Sequence, residues 1–354
     1  MEDSGDGIPA VVQKCQQIIS EDKDIPYTVA AFKALTAVLE EATVTTIMEL
    51  REKIKNATDQ VIESFYEEYS VVSGCKLFLS TLIEVSASRS FSSFSSCRDA
   101  VLTAAKRWIE ISQTSRERIA DTASSFIQTT HTPADTHSSR ISCEGMRIMT
   151  LGYSRVVLAV VKKLISASPS PVSLTVLQGS DVDQTRTLLS KLRQQSVKIR
   201  IITDGDVISH IKSVDFVLCG AECVFKSGGV LNRQGTHQLA FIAHLHSVPV
   251  YIAAELYKFD SSFPLDGSDI RKEEGKGISK LQESIGIPGK TREEMARGKC
   301  ITSDSVAVGC RREAEVEYVC YSSDYTPPGY ISLIFTEYGA LTPGGVAVEL
   351  MKVV

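Results

Sequence analysis

The chain has 354 residues, of which 43% are apolar and 23% are charged, and this balance excludes an intrinsically disordered protein. Its formal net charge of -5 argues against a general nucleic-acid-binding protein, which would be basic. No stretch of about 18 uncharged apolar residues occurs, and the first residues are acidic, so neither a membrane span nor a signal peptide is expected.

Residues 1–145 are predicted to form a helical domain, because apolar residues recur there at helical spacing and no strand alternation is visible. The predicted helices cover 28–41, 43–66, 75–85 and 98–127, the third of them after a break at Ser73-Gly74. The Ser- and Thr-rich segment 129–143 indicates a surface loop near the domain boundary.

Residues 146–354 are predicted to form an α/β domain, since short apolar strands alternate there with helices. The predicted strands cover 147–151, 172–177, 197–203, 214–220, 249–254 and 330–335, and the predicted helices cover 155–167, 183–195, 207–212, 236–246 and 345–353. This order indicates a mainly parallel sheet with helices on both faces. Residues 267–324 lack periodicity and are interpreted as a loop insertion at the rim of the sheet.

The nine cysteines are scattered and include no CxxC pair, which is typical of reduced, buried thiols in a cytosolic protein. A zinc site is disfavoured, because structural zinc ligands usually occur as closely spaced pairs. His244 and His246 are two residues apart, which is poor spacing for a shared ligand on a helix. We therefore expect neither a metal nor a tightly bound cofactor.

The most informative stretch is 217–240, which reads VLCGAECVFKSGGVLNRQGTHQLA. An apolar strand enters a Gly-Ala-Glu turn, a polar hairpin follows, and Asn-Arg-Gln-Gly-Thr leads into a helix. Open α/β sheets hold ligands at such edges, and a Gly-Thr at a helix start offers N–H groups to an anion. The alternative is an ordinary strand–hairpin–helix connection with turn glycines.

Four segments could meet at one site that holds a phosphorylated ligand. They are Ser73-Gly74, Arg116 with Arg118, the strand end at 150–155, and Glu222 with 232–236. Arginines and helix N-termini suit phosphate oxygens. Each segment also has a plainer interpretation, such as a solvated helix face or an N-cap at Ser154. The candidate ligand-binding residues are Ser73, Gly74, Arg118, Gly152, Tyr153, Ser154, Arg155, Glu222, Asn232, Arg233, Gly235 and Thr236.

Three common catalytic signatures are missing from the sequence. There is no GxSxG elbow, no P-loop and no dinucleotide fingerprint. Cys219 and Cys223 flank the turn at Glu222, yet no convincing Cys–His pair accompanies the turn at Gly152. The residues alone therefore favour a binding pocket over a nucleophilic enzyme.

At these residues the chain resembles the regulatory subunits of eukaryotic translation initiation factor 2B, and within that family it is most similar to the alpha type. The resemblance is carried by T-x-x-x-S-R-V-V-L at 150–158, G-A-E at 220–222 and G-G-x-x-N-x-x-G-T-x-Q-x-A at 228–240. Further matches follow at 258–265, 325–328 and 341–343. The resemblance implies an N-terminal helical domain followed by a Rossmann-like domain with a mainly parallel sheet.

The same superfamily contains isomerases that act on methylthioribose 1-phosphate or ribose 1,5-bisphosphate, and the resemblance places Gly152 where those enzymes carry a catalytic cysteine. Their acid–base aspartate corresponds to Glu222, and their Asn-Lys-x-Gly-Thr corresponds to 232–236 with Arg233 for lysine. Glycine cannot transfer a proton, so no enzymatic activity is expected. The strand end at 178–180 also departs from the family pattern.

The resemblance implies a cytoplasmic regulatory subunit of the guanine-nucleotide exchange factor for initiation factor 2. Its expected partners are a second copy, the beta, gamma, delta and epsilon subunits, and initiation factor 2 phosphorylated on its alpha subunit, with no direct nucleic acid or membrane contact. A sugar phosphate or nucleotide monophosphate is the expected regulatory ligand of a vestigial pocket. The alternatives are an active sugar-phosphate isomerase and a stand-alone metabolite sensor.

Overall fold

The structure is a computed structural model, and it describes residues 8–88, 91, 93–131, 145–168, 170–179, 182–270 and 322–353. Most of the predicted loop at 129–143 and most of the expected insertion at 267–324 lie outside these ranges, and residues 129–131 belong to a helix instead. The described helices and the sheet belong to one compact unit. The proposed domain boundary between residues 145 and 146 stays a prediction.

The first part of the chain consists of helices, as the apolar periodicity indicated. They are α1 (Ala10–Glu21), α2 (Tyr27–Glu40), α3 (Ile47–Ser64), α4 (Tyr69–Ser88) and α5 (Phe94–His131). A capping box starts α3, because the Thr46 hydroxyl accepts the Glu49 N–H while the Glu49 carboxylate accepts the Thr46 N–H. The expected break at Ser73-Gly74 is wrong, since both residues lie inside α4.

By length and mean hydropathy, the stretch Tyr69–Ala87 of α4 could cross a membrane. In this structure 44% of its most apolar window is buried. Phe78 and Leu82 are both fully buried in the core that the helices share. A buried core helix meets the same criteria of length and hydropathy, and the packing of α4 is that of a core helix.

From residue 146 onward, strands and helices alternate. In chain order they are β1 (Met146–Leu151), α6 (Arg155–Ala167), β2 (Val172–Leu177), α7 (Val182–Leu192), β3 (Val197–Ile202), α8 (Val207–His210), β4 (Phe216–Gly220), β5 (Cys223–Phe225), β6 (Val230–Arg233), α9 (Thr236–Leu245), β7 (Val250–Ala253), β8 (Phe259–Asp260), β9 (Ser323–Thr326), β10 (Leu333–Thr336), β11 (Gly339–Leu341) and α10 (Val346–Val353).

The main sheet has seven strands in the order β11-β10-β7-β4-β1-β2-β3. All neighbouring pairs are parallel except β10 with β11, which confirms the prediction of a mainly parallel sheet. A second, four-stranded sheet has the order β8-β5-β6-β9 and includes the expected glycine hairpin as the antiparallel pair β5–β6. Neither β11 nor this second sheet as a unit was predicted from the sequence.

Alternate residues along the parallel strands point to opposite faces of the sheet, as the pleat requires. In β4, Phe216 and Leu218 pack into one hydrophobic cluster, together with α6 and the second half of α5. Val217 and Cys219 pack into another cluster, which continues into the core of the N-terminal helices. Both faces of the sheet are therefore covered, and one of them shares its core with the helical part.

Candidate functional site

The strand order defines where a ligand-binding crevice is expected. The chain adds β1, β2 and β3 in one direction, then returns to add β4, β7 and β10 on the other side of β1. The order therefore reverses between β1 and β4, and open α/β sheets hold their ligands outside the carboxyl ends of the two strands at such a switch point. Gly152 follows β1, and Glu222 follows β4 after one residue.

The turn after β1 is open. Gly152 has φ +56, a backbone conformation that favours glycine, and its N–H bonds the Leu177 carbonyl at 3.1 Å. A Cβ added at Gly152 would have Gln184 as its nearest neighbour, at 3.9 Å. Two residues later, Ser154 caps α6 by accepting the Val157 N–H. Gly152 thus has space beside it but no side chain.

Arg233, at the end of β6, faces the same turn. With the Gln184 amide turned so that its oxygen meets the guanidinium, that oxygen accepts Nη1 of Arg233 at 3.1 Å and Nη2 at 3.2 Å. Since Gln184 is also the nearest neighbour of the open position at Gly152, Arg233 places a positive charge beside the crevice. A guanidinium can bind phosphate oxygens with two parallel hydrogen bonds.

The N-terminus of α9 is already occupied by a carboxylate of the chain itself. Asp324 Oδ2 accepts the Gly235 N–H at 2.7 Å and the His237 N–H at 3.1 Å. The expectation of free N–H groups at the start of this helix is therefore wrong. Negative charge is favoured there by the helix dipole, and Asp324 supplies it from within the chain.

Two acidic side chains approach each other at this end of the crevice. Burial raises the pKa of Asp324 to about 6, the hydrogen bonds from Gly235 and His237 oppose that rise, and the nearby Glu222 adds to it. The Glu222 N–H itself bonds the Leu231 carbonyl at 2.9 Å, which fixes the turn. The crevice thus offers both carboxylate acceptors, at Glu222 and Asp324, and the Arg233 guanidinium.

Asn232 and Thr236 support the turn between β6 and α9. The Asn232 amide donates to the Thr236 hydroxyl at 3.0 Å, and that hydroxyl donates to the Arg233 carbonyl at 2.7 Å. Both side chains are buried. Their observed contacts hold the backbone that presents Arg233 to the crevice.

Arg155 and Tyr153 lie beside the same turn. Arg155 donates from Nη1 to the Asp24 carbonyl at 3.0 Å, which ties the loop between α1 and α2 to the start of α6. Tyr153 is half-buried against the hydrophobic cluster formed with α6. Both residues are near the crevice, and their observed contacts are to the protein itself.

Ser73 and Gly74 do not lie at the crevice. The Ser73 hydroxyl is 3.5 Å from both the Cys223 sulfur and Oδ2 of Asp260, so it joins α4 to the second sheet. Gly74 lets α4 approach its neighbours closely, because a Cβ there would collide with the Thr28 methyl group and lie 3.1 Å from the Tyr257 carbonyl. These contacts explain the two residues as packing positions.

Arg118 also lies apart from the crevice. Its guanidinium carbon is 5.5 Å from the centroid of the Tyr338 ring, just after β10 and three strands away from β1. Arg116 has a different partner at the sheet edge, with its Nε 3.7 Å from Oε1 of Glu255. The two arginines that the sequence grouped together therefore have different partners.

Sequence reasoning missed a pair of buried carboxylates farther along the same edge. Glu255 follows β7 and Glu337 follows β10, and both are almost fully buried. Burial alone would raise the pKa of Glu255, but Lys258 at 2.7 Å and Arg116 bring it below its ordinary value. Burial raises the pKa of Glu337 to about 7, although its carboxylate accepts the Leu256 N–H at 3.0 Å.

The described cysteines are buried and unpaired. Burial raises the pKa of Cys219 to about 12, so the thiol beside the Glu222 turn is protonated at neutral pH. Cys300, Cys310 and Cys320 lie outside the described residues. In the part of the chain that the structure describes, no three His, Cys, Asp or Glu side chains group as metal ligands would.

A helical layer joined to a mainly parallel sheet with a polar crevice at its switch point defines the class of Rossmann-like α/β proteins with an added helical domain. The family model described as the initiation factor 2 subunit family matches residues 21–343, and the chain belongs to this family. The family resemblance and the fold class predicted from the sequence are confirmed.

Three relatives illustrate the breadth of the family. The chain is 28% identical over 345 residues to translation initiation factor eIF2B subunit alpha of Dictyostelium discoideum, covering 97% of this chain and 96% of that one. Ribose 1,5-bisphosphate isomerase of Archaeoglobus fulgidus is 27% identical over 200 residues, 56% of this chain and 55% of the enzyme. A chain of the tetrameric eIF2B-beta2-delta2 complex from C. thermophilum shares the fold, with a TM-score of 0.67 at 15% identity and coverage of 98% and 96%.

Proposed function

We propose that the chain is an alpha-type regulatory subunit of the guanine-nucleotide exchange factor for translation initiation factor 2, acting in the cytosol. The observation that carries this proposal is the similarity to an eIF2B alpha subunit over 97% of the chain. The crevice supports it, because Gly152 has no side chain at the position that is a catalytic cysteine in the related isomerases. Exchange catalysis would then belong to the epsilon subunit.

A homodimer is part of this proposal, and the outer face of α9 supports it. Residues 234–248 contain no Asp, Glu, Lys or Arg. Phe241 is 43% exposed and Leu245 is 62% exposed, one turn apart on this helix. Tyr330 packs its ring 5.6 Å from that of Phe241. An uncharged apolar face of this kind avoids the like-charge repulsion that arises when a two-fold contact brings the same patch of both copies together.

The proposed dimer joins two sets of the beta, gamma, delta and epsilon subunits, and the helical domain contacts initiation factor 2 phosphorylated on its alpha subunit. The faces assigned to that contact lie within residues 28–66 or 98–127. They are supported by the exposed polar sides of α3 and α5, whose other sides are buried in the helical core.

The crevice is proposed to bind a sugar phosphate or a nucleotide monophosphate as a regulatory ligand. The Arg233 guanidinium supports an anionic group near Gly152. Glu222 and Asp324 would accept hydrogen bonds from ligand hydroxyls, which favours a polyhydroxylated sugar phosphate over a nucleotide. Because Asp324 already occupies the N-terminus of α9, the phosphate is assigned to Arg233 rather than to that helix.

The second candidate function is an active sugar-phosphate isomerase, and the similarity to ribose 1,5-bisphosphate isomerase favours it. Its acid–base chemistry would have to proceed without a thiol at Gly152 and with Glu222 in place of aspartate. A turnover assay with ribose 1,5-bisphosphate and methylthioribose 1-phosphate separates the two functions. Product formation would support the isomerase.

Sedimentation of the purified chain tests the subunit proposal, alone and mixed with the beta, gamma, delta and epsilon subunits from the same source. We expect a dimer that joins two sets of those subunits into a particle of about twice their mass. A chain that never associates with them would overturn the proposal and favour the isomerase or a stand-alone metabolite sensor.

A further inference from the structure

The strand β3 is the last of its side of the main sheet, and in the part of the chain that the structure describes only β2 pairs with it. An edge strand leaves a row of backbone N–H and C=O groups that another extended segment can bind. β3 reads VKIRII and contains neither proline nor glycine, so nothing in its own sequence interrupts this row. Its six residues are enough to pair with an added strand.

This strand and the helix before it form a basic stretch in an acidic protein. Residues 184–203 contain five lysines and arginines and no aspartate or glutamate, whereas the whole chain has a net charge of -5. Two of these cations already have partners, because Arg186 pairs with Asp183 at 2.9 Å and Lys191 pairs with Asp24 at 3.5 Å.

The other three cations of the stretch are Arg193, Lys198 and Arg200. They are exposed and form no ion pair with any residue that the structure describes. Two of them belong to β3, and their charge is therefore available to an incoming carboxylate.

Lys198 and Arg200 lie on the same face of β3, since side chains alternate along a strand, and their Cα atoms are roughly 6.6 Å apart. Their neighbours on β2 are Ser173 and Thr175, which carry no charge. Ile201 belongs to the opposite face and is 45% exposed. The edge thus presents two cations at alternate positions on one face and an apolar side chain on the other.

The acidic residues nearest in sequence lie outside the strand. Asp204 and Asp206 follow its end in a single helical turn, and Asp206 accepts the Thr203 hydroxyl at 2.8 Å. Asp215, before β4, is paired with Arg147 at 2.8 Å. The basic character of the edge is therefore greatest in the middle of β3.

We propose that an acidic, extended segment of a partner protein adds to β3 as a further strand of the main sheet. Two carboxylates at alternate positions of this segment pair with Lys198 and Arg200, and an apolar side chain between them packs against Ile201. The backbone hydrogen bonds supply affinity, and the alternating side chains supply specificity.

Charge and backbone chemistry select this occupant. A second copy paired edge to edge through β3 would bring like cations together, which destabilises a strand pair. A nucleic acid would meet the two cations but has no alternating N–H and C=O groups to pair with the strand. The surfaces proposed for the homodimer, for initiation factor 2 and for the regulatory ligand do not include β3, so this inference goes beyond the proposed function.

The test uses the full chain and a short fluorescent peptide in which glutamate and valine alternate, with fluorescence anisotropy as the readout. We expect the double variant Lys198→Gln/Arg200→Gln to weaken binding, and Lys198→Glu/Arg200→Glu to weaken it by at least about tenfold, because carboxylates then face carboxylates. A peptide with lysine in place of glutamate should not bind.

Strand pairing is tested separately from charge with two N-methylated versions of the glutamate peptide, methylated on alternate residues in the two possible phases. A methylated nitrogen cannot donate, and the N–H groups of a strand point alternately to its two sides. At least one of the two versions should therefore lose binding, although both keep every carboxylate.

Lys23→Glu/Lys55→Glu is the matched control, because both lysines are exposed, lie outside β3 and change the net charge equally. Its affinity should stay within about twofold of the unmodified chain, since distant exposed charges are screened. Equal losses in the two glutamate double variants, unchanged binding of both N-methylated peptides, or no binding at all would overturn the proposal. Equal binding of a single-stranded RNA of similar length, or loss of a dimer in Lys198→Glu/Arg200→Glu, would assign the edge to another occupant and overturn it as well.

Discussion

Asp324 does for α9 what a bound anion does for many other helices. Its carboxylate satisfies the N–H groups of Gly235 and His237, which would otherwise lack partners at the first turn. The N–H groups that resemble an anion site in the sequence therefore already bind a carboxylate of the same protein. A phosphorylated ligand must therefore rely on the positive charge that remains, and in the crevice Arg233 supplies it.

Arg233→Ala should abolish the thermal shift that sugar phosphates give the unmodified chain. At a ligand concentration about 100 times its Kd, binding stabilises a protein by about 2.7 kcal/mol, which differential scanning fluorimetry detects. Arg200→Ala, at an exposed arginine on β3, serves as the control and should keep the full shift. A shift that persists in Arg233→Ala would place the ligand elsewhere.

At the scale of single residues, the sequence predicted those positions that depend only on neighbouring residues in the chain. Gly152, Glu222 and Arg233 lie at turns that follow strands, and a single stretch of sequence reveals such turns. Asp324 reaches Gly235 across 89 residues of chain, so no local pattern announces that contact. Arg118 was misplaced for a related reason, because only the packing shows that its partner is Tyr338 after β10 rather than the crevice.

Among the elements, α5 connects the two parts of the molecule. The first half of this helix packs Val101 and Trp108 into the core of the N-terminal helices. Its second half packs Ile119 and Ile127 against the sheet and α6. At about 1.5 Å per residue, its 38 residues span roughly 57 Å. Motion of either part without the other would have to bend α5 or expose one of these two faces.

The strands and helices of the sheet were predictable because their apolar periods are clean. The ranges 155–167 and 172–177 predicted from sequence coincide with α6 and β2. β11 was missed because three residues carry too little periodicity, and β10 begins later than expected because Pro328–Tyr330 forms a single helical turn. Short elements are set by their neighbours in the sheet rather than by their own sequence.

The carboxyl group of Glu337, at the sheet edge, makes the stability of the fold depend on pH. Because its folded pKa of about 7 lies above the ordinary value of 4.5, its contribution to stability is fully present below about 4.5 and is lost as the pH rises through 7. Glu337→Gln cannot ionise and should reduce the loss of stability between pH 5 and pH 8. The difference is on the order of 3 kcal/mol, from a shift of roughly 2.5 units.

Urea unfolding at both pH values measures this effect, and Glu117→Gln, an exposed carboxylate on α5, is the control. The groups that face Glu337 are Glu255, with Lys258 and Arg116 beside it, and Arg118 with Tyr338. Burial raises the pKa of Asp324 to about 6, so this residue adds a smaller pH dependence of stability, which both variants retain. An unchanged pH dependence in Glu337→Gln would show that this carboxyl group stays in one protonation state.

The surface of the whole molecule is uneven in charge. The chain carries a net charge of -5, so two copies repel each other unless they meet through an uncharged area. The face of α9 around Phe241 and Leu245 provides such an area, because the helix and its flanking residues contain no charged side chain. The composition indicated the net charge, but which helix remains exposed depends on the fold.

Leu245→Glu should therefore shift the proposed homodimer toward monomers. Leu245 is 62% exposed in the single chain, so the substitution leaves the folded protomer intact, yet a two-fold contact brings both new carboxylates to the same interface. Met48→Glu, at an apolar residue on α3 that is even more exposed, at 73%, is the control and should sediment like the unmodified chain. If Leu245→Glu remains a dimer at micromolar concentration, the two copies meet through a surface other than α9.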